Sequence, residues 1–330
     1  MSLKKSISPK LPKQLPSMDG DIDGVASALD TPLDTDLPPP AQDTPLKKYE
    51  PKTKKSQLPA TTATQSRAIM FLPLYRSEGM HKLGKDESVT VFKNNHAEVS
   101  VKGRLLTQIH RNILDAIFSY YEPARTNTDG SVSYAITLHS LMKHLGDKHA
   151  RNHSWLRDRL DDMMMVVLIT KTNDGWTNHS HILSGHRYSE KASNRNGDPM
   201  YVVTFDPYFL NYLRYDLHVH TEKLTPQILN LKHAPTQALV RYLISHTETN
   251  KALDEVLTTI GVFRDDITDR GKRYLQAAIL QEREALERDF GIIFKKMSNG
   301  KLGVFYKQHG TVWFEQPNPE KLGLPPIDAA

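Results

Sequence analysis

The sequence predicts an α+β fold in which a helix-turn-helix followed by a β-hairpin occurs twice, behind a disordered N-terminal tail. Three observations carry this. Leu253, Val256, Leu257 and Ile260 fall on one apolar helical face, and Gly261 stands where a left-handed C-cap belongs. Leu138, Leu141, Met142, Leu145 and Gly146 repeat that spacing position for position. After each set come a polar turn, a second amphipathic run and two β-rich segments, the order of a winged helix. Trp155-Leu156 in the first second-helix corresponds to Tyr274-Leu275 in the other.

The chain divides accordingly into residues 1–66, 67–222, 223–315 and 316–330. The first segment holds half of the 20 prolines, including Pro38-Pro39-Pro40, and a single aromatic, Tyr49. Little there could be buried, so the composition predicts a disordered tail whose lysines, Lys47 to Lys55, form a solvated charge run. The last segment, proline-rich from Pro317, reads as loose.

In the first domain, residues 68–72 are the first strongly apolar run, limited to an edge strand or arm by Pro73. Residues 89–92 and 97–101 suggest a hairpin. Leu105, Leu106, Ile109, Ile113, Ile117 and Phe118 give a helix over 103–121, stopped by Glu122-Pro123. A turn at 127–130 and a strand at 132–137 lead into the first helix-turn-helix, 138–165, with Leu156, Leu160, Met163 and Met164 facing inward. Strands at 166–171 and 200–205 bracket a polar stretch, 176–198, that fits a long hairpin tip. Asp206-Pro207 opens another helix carrying Phe209, Leu210, Tyr212 and Leu213.

The second domain begins with a connection at Leu224-Thr225-Pro226 and a helix over 234–246. A short helix follows at 253–260. Thr268 or Asp269 then caps a longer helix running to Gly291, with Leu275, Ala278, Ile279, Leu286 and Phe290 inward. Runs at 292–297 and 302–307 are joined by Ser298-Asn299-Gly300, a hairpin-turn sequence.

Composition narrows the chemistry. The net charge of +5 permits an anionic partner. The absence of cysteine excludes disulfides, thiolate metal sites and cysteine nucleophiles, and fits a reducing cytoplasm. No run approaches a membrane span, and the N-terminus lacks the apolar segment of a signal peptide. No phosphate-binding glycine loop and no serine-histidine-acid set occurs, so no catalytic residue is assigned and no cofactor is expected. His179, His181 and His186, and separately His218-Val219-His220, have no carboxylate at a familiar zinc spacing; they read as polar positions, and no metal is expected.

Duplex DNA is the partner this arrangement suits. In the first unit Lys148, Arg151, Asn152, Ser154 and Arg157 would face solvent from the start of the second helix, and Arg187, Lys191 and Arg195 could reach the groove or backbone from the hairpin tip. In the second unit Arg270, Lys272, Arg273 and Gln276 decorate the start of the longer helix. Arginine and glutamine can pair bidentately with base edges, whereas Lys295, Lys296, Lys301 and Lys307 on the hairpin suit phosphate.

The element order, the helix opening at Arg104-Leu105-Leu106 and the patterns LHSLMKHLG, ALVRYLISH and LDEVLTTIG resemble the iteron-binding plasmid replication initiators, most closely the TrfA type, over about Val89 to Lys307. The resemblance implies tandem winged helices that bind direct repeats at an origin, open adjacent duplex and recruit the host initiator, helicase and sliding clamp. It implies dimers converted to active monomers, a place in the bacterial cytoplasm with the plasmid, and no catalytic residues. Gln65, followed by Ile69, Met70 and Phe71, has the general look of a clamp-binding peptide. Two other functions fit parts of the sequence. One is a transcriptional regulator using the same modules. The other is a metal-dependent rolling-circle initiator or relaxase in which His218 and His220 hold the ion and a tyrosine such as Tyr242 attacks DNA.

Overall fold

The computed structural model describes residues 61–67, 70–73, 83, 87–93, 97–145, 153–172, 175–193, 198–210, 216–221, 223–265, 267–308 and 312–316. Helices and strands are interspersed throughout, so the fold is mixed α+β.

Secondary structure reaches into the stretch that composition suggests is a tail. Thr61–Thr62 (β1) and all but the last residue of Ala63–Arg67 (α1) lie in the stretch assigned above to the tail, yet Thr61, Thr62, Ala63, Gln65 and Ser66 are all buried. Their burial rests on polar satisfaction, which an apolar pattern cannot reveal. β1 pairs antiparallel with β12 (His218–His220), and the Ala63 N–H donates to the Leu217 carbonyl at 2.8 Å.

A first group of elements surrounds helix α2 (Gln108–Tyr120). Phe71–Leu72 (β2) runs parallel to Leu106–Thr107 (β5). Ser88–Lys93 (β3) and Ala97–Lys102 (β4) pair antiparallel. The leucine spacing predicts that α2 starts at residue 103, but it starts at 108. Gly103 adopts a φ of 87°, and the Thr107 N–H donates to His110 Nδ1 at 3.1 Å, which turns the chain into the helix there. Beyond α2 lie β6 (Pro123–Thr126), β7 (Val132–Thr137), α3 (Leu138–His144) and α4 (His153–Met165). Leu156, Leu160 and Met163 point inward with no exposed surface.

The hairpin that follows differs from expectation. β8 (Val167–Thr172) pairs with β4 and with β9 (Thr177–Ser180), turning at Gly175 with a φ of 94°. The strand at 199–205 (β11, Pro199–Phe205) instead pairs with β10 (Leu183–Ser193) and β7. The polar stretch between the two apolar strands therefore holds two strands, anchored by Ile182 and Leu183, each 1% exposed. After β11, residues 207–210 form a turn in which Asp206 accepts from the Tyr208 N–H at 2.8 Å; Tyr212 and Leu213 lie outside the described residues.

The second group comprises α5 (Thr225–Asn230), α6 (Ala234–Ile244), β13 (Glu248–Ala252), α7 (Leu253–Thr259), α8 (Asp269–Leu280), α9 (Arg283–Phe290), β14 (Ile293–Lys296), β15 (Leu302–Lys307) and β16 (Trp313–Glu315). The sequence suggests one long helix to Gly291, but α8 and α9 are separated at Gln281 and Glu282. Glu282 turns its carboxylate to the start of α6, accepting from the N–H groups of Lys232 at 2.6 Å and His233 at 3.3 Å. Thr268 caps α8 by accepting from the Gly271 N–H, and Gly291, at a φ of 66°, ends α9. The β14–β15 turn is closed by Met297 N–H to the Lys301 carbonyl at 2.8 Å, with Gly300 at a φ of 81°.

The two groups share one chain order. A helix (α2, α6) leads to a strand (β7, β13) that passes directly into a short helix (α3, α7), then a longer helix (α4, α8), then a hairpin (β10–β11, β14–β15). In both sheets the last hairpin strand sits in the middle, giving β10-β11-β7 and β14-β15-β13. The first group adds β6 outside β7 and inserts β8 and β9 after α4. Each has its own apolar core, one built from residues such as Ile113, Leu156 and Phe205, the other from Leu243, Val256, Ile279 and Phe290. The chain crosses between them: Ala63 packs in the second core and Leu229 in the first.

Candidate nucleic-acid interface

The outer face of α8 is set by what its inner face buries. Ala278 and Ile279 are buried and Leu275 packs against the second core, which leaves Arg270, Arg273, Tyr274 and Ala277 as the exposed stripe. These occupy i, i+3, i+4 and i+7, so they form a single band along the helix. Asp269 is the one acid in this helix, against Arg270, Lys272 and Arg273, so α8 is net basic.

Two expected groups flank this band and are partly engaged within the protein. Lys272 Nζ sits 5.8 Å from the centre of the Phe263 ring. The Gln276 amide donates to Asp254 Oδ1 on α7, so reading a base with that side chain requires breaking this bond. Tyr274 was not anticipated. It is 72% exposed between the arginines, and the signal for it was a large aromatic off the apolar stripe. The hairpin lysines Lys295, Lys296, Lys301 and Lys307 are all exposed.

In the first unit the equivalent helix is a different surface. Lys148, Arg151 and Asn152 lie outside the described residues. Ser154 and Arg157 are exposed, but so are Asp158 and Asp161, and Asp162 is buried beneath them. Three aspartates against Arg157 and Arg159 make α4 net acidic. Asp162 is held by Arg104, by His110 Nε2 at 3.1 Å and by Arg159 at 3.5 Å, so its charge ties α4 to the start of α2. Burial, and then Tyr188, push the Tyr201 phenol up to about 12, and Arg157 acts in the opposite direction. Arg187 on β10 is exposed; the side chain of Lys191 and all of Arg195 lie outside the described residues.

No protein-family model, curated protein or solved structure matches the chain.

The expected clamp-binding peptide is corrected by burial. Gln65, Met70 and Phe71 are 5%, 2% and 5% exposed, and Ile69 lies outside the described residues. Gln65 lines a cleft between the two groups of elements, together with Arg67, Arg111 and Arg241. The Gln108 side chain donates to the Phe71 carbonyl at 2.9 Å, fixing that strand inside the fold. A glutamine followed by apolar residues here serves the protein's own interior.

The histidines separate into two cases. His181 contacts the Val166 carbonyl at 2.9 Å and His186 contacts Asp161 at 2.8 Å, so these two serve local structure. His218 and His220 lie on β12 with Glu315 of β16 across the strand pair, a carboxylate supplied from far along the chain that no local spacing could have revealed. No helix among the described residues is long and apolar enough to cross a membrane.

Proposed function

We propose that the chain is a sequence-specific double-stranded DNA-binding protein that acts as a plasmid replication initiator, with two tandem winged helices. The observation that carries the reading is the exposed band Arg270, Arg273 and Tyr274 on α8, followed in the chain by a hairpin with four exposed lysines. A helix of this width fits a major groove, where arginine can pair with guanine edges, while the hairpin lysines neutralise the adjacent backbone. The repeated order helix, strand, helix, helix, hairpin, with matching strand order in both sheets, supports reading both units as winged helices.

The charge difference between the units supports giving them different work. The basic α8 supplies sequence recognition, and the acidic α4 is the weaker DNA contact, its unit serving self-association or orientation on the repeat. Binding of direct repeats, opening of adjacent duplex and recruitment of the host initiator, helicase and clamp complete the proposed role, on the resemblance described above. The role needs no catalytic residue. Tyr242, the candidate nucleophile named above for a relaxase, is 7% exposed with its ring 4.5 Å from that of His246.

The test is fluorescence anisotropy of the full chain on duplexes carrying such direct repeats as sequencing finds beside its gene, with scrambled duplex as control, across a salt series. Preference for the repeat supports the reading. Equal, salt-sensitive binding to both duplexes would reduce the surface to a basic patch and sink it.

A further inference from the structure

We propose that His218, His220 and Glu315 form a binding site for a divalent cation of the zinc class. The sheet itself assembles the three. His218 and His220 are two apart on β12, so their side chains leave the same face, and antiparallel pairing sets Glu315 directly opposite His218. The three potential ligand atoms lie within 4.8 Å of one another, with His220 Nε2 2.9 Å from a Glu315 oxygen. Ligands about 2 Å from one tetrahedral zinc ion stand roughly 3.4 Å apart, which lies between the 2.9 Å contact and the 4.8 Å limit of this trio.

The donor set selects the metal. Two imidazoles and one carboxylate suit zinc or a similar first-row ion, whereas magnesium and calcium prefer oxygen throughout. Burial is graded in the way a site with an open fourth position requires: His218 is 2% exposed, while the side chains of His220 and Glu315 are 14% and 39% exposed. Water can therefore fill the remaining position. β12 also pairs with β1 on its other side, so the ion would pin the last described strand to a sheet that already gathers the first. His220 and Glu315 are separated by 95 positions, so an ion held by both would cross-link the chain across that separation.

The experiment uses the full chain without a polyhistidine tag, stripped with chelator, then titrated with zinc by calorimetry and with cobalt(II) by visible absorption. The expected result is one equivalent bound, a four-coordinate cobalt spectrum and a higher melting temperature with metal. His220→Ala and Glu315→Gln, both at partly exposed positions, should each weaken zinc binding by more than the ~10–100-fold that loss of a supporting group costs. His179→Ala should leave it unchanged. If the wild type takes up no metal, or if stoichiometric binding survives in both His220→Ala and Glu315→Gln, the site does not exist and the His220–Glu315 contact is only an ion pair. Repeat binding measured on the same proteins reports the DNA reading separately.

Discussion

Arg241 Nε lies 2.9 Å from Asp115 Oδ2, joining α6 of the second core to α2 of the first. Asp115 also accepts from Arg111 Nε at 2.7 Å. One buried carboxylate thus faces two buried guanidinium groups. Neutral acceptors take up the rest: Gln108 and Asn112 each accept from Arg241 at 2.7 Å, while Thr61 and the Gln65 carbonyl accept from Arg111. The network draws α1, α2 and α6 together, so it couples the two units.

Arg241→Ala removes one partner from this network and leaves Gln108 and Asn112 unsatisfied. A loss of about 3–5 kcal/mol is expected in urea unfolding. Asp115→Ala should cost more, since it leaves two buried arginines without their counter-charge. If either variant unfolds within 1 kcal/mol of wild type, roughly the effect of an exposed pair, the network is not closed to water.

Gly103 gives a backbone test. Its φ is 87°, and an added Cβ would lie 2.7 Å from the Met165 carbonyl oxygen, which is main chain and cannot swing aside. Gly103→Ala should therefore destabilise by about 1–3 kcal/mol. Gly185 has no positive φ, and nothing beyond its chain neighbours lies within 4 Å of its would-be Cβ. Gly185→Ala should be neutral or stabilising by up to ~1 kcal/mol, since it restricts only the unfolded chain. Equal melting temperatures for the two variants would contradict this contrast.

His144 and His246 predict a loss of stability in acid. Burial, with Lys143 adding to it, lowers the His144 pKa. Burial also lowers that of His246, against the opposing Tyr242 carbonyl and with Arg67 and Lys251 assisting. The unfolded chain then binds these protons more readily than the folded one. Stability should fall as the pH drops through about 6.5, the ordinary histidine value, and keep falling until the folded values are passed. His144→Phe retains a ring for the Tyr120 stack, now at 3.9 Å, while removing the titration. Its stability should decline less steeply over that window; an unchanged pH dependence of the urea midpoint would refute the assignment.

What the sequence revealed depended on how each contact is encoded. Apolar spacing located α3, α4, α7 and α8, because residues such as Leu156 and Ile279 repeat at the helical period they are buried by. It misplaced the start of α2, since Leu105 and Leu106 continue the apolar pattern while Gly103 and Thr107 set the backbone. It missed β13, whose ETNKA carries almost no apolar signal and is a strand through its register with β15. The Thr61–Arg67 segment was hidden for a related reason: its interior contacts are hydrogen bonds. At the candidate interface, charge was readable position by position, but engagement was not. The Gln276–Asp254 contact and the Glu315 approach to His220 both depend on tertiary pairing.

The proposed DNA surface can be divided by substitution. On the proposed reading, Arg273→Ala should cost about 1–3 kcal/mol on the repeat duplex and weaken discrimination against scrambled DNA, as expected for loss of a base-edge contact. Lys301→Ala should lower affinity for both duplexes alike and reduce the salt slope by about 1, because a phosphate contact carries no sequence information. Arg157→Ala, on the acidic α4, should have a smaller effect than Arg273→Ala on the same repeat. The expected order is α8 for sequence, the β14–β15 hairpin for backbone, and α4 as the weaker contact. A larger specific loss from Arg157→Ala than from Arg273→Ala would transfer sequence recognition to the first unit, despite its charge.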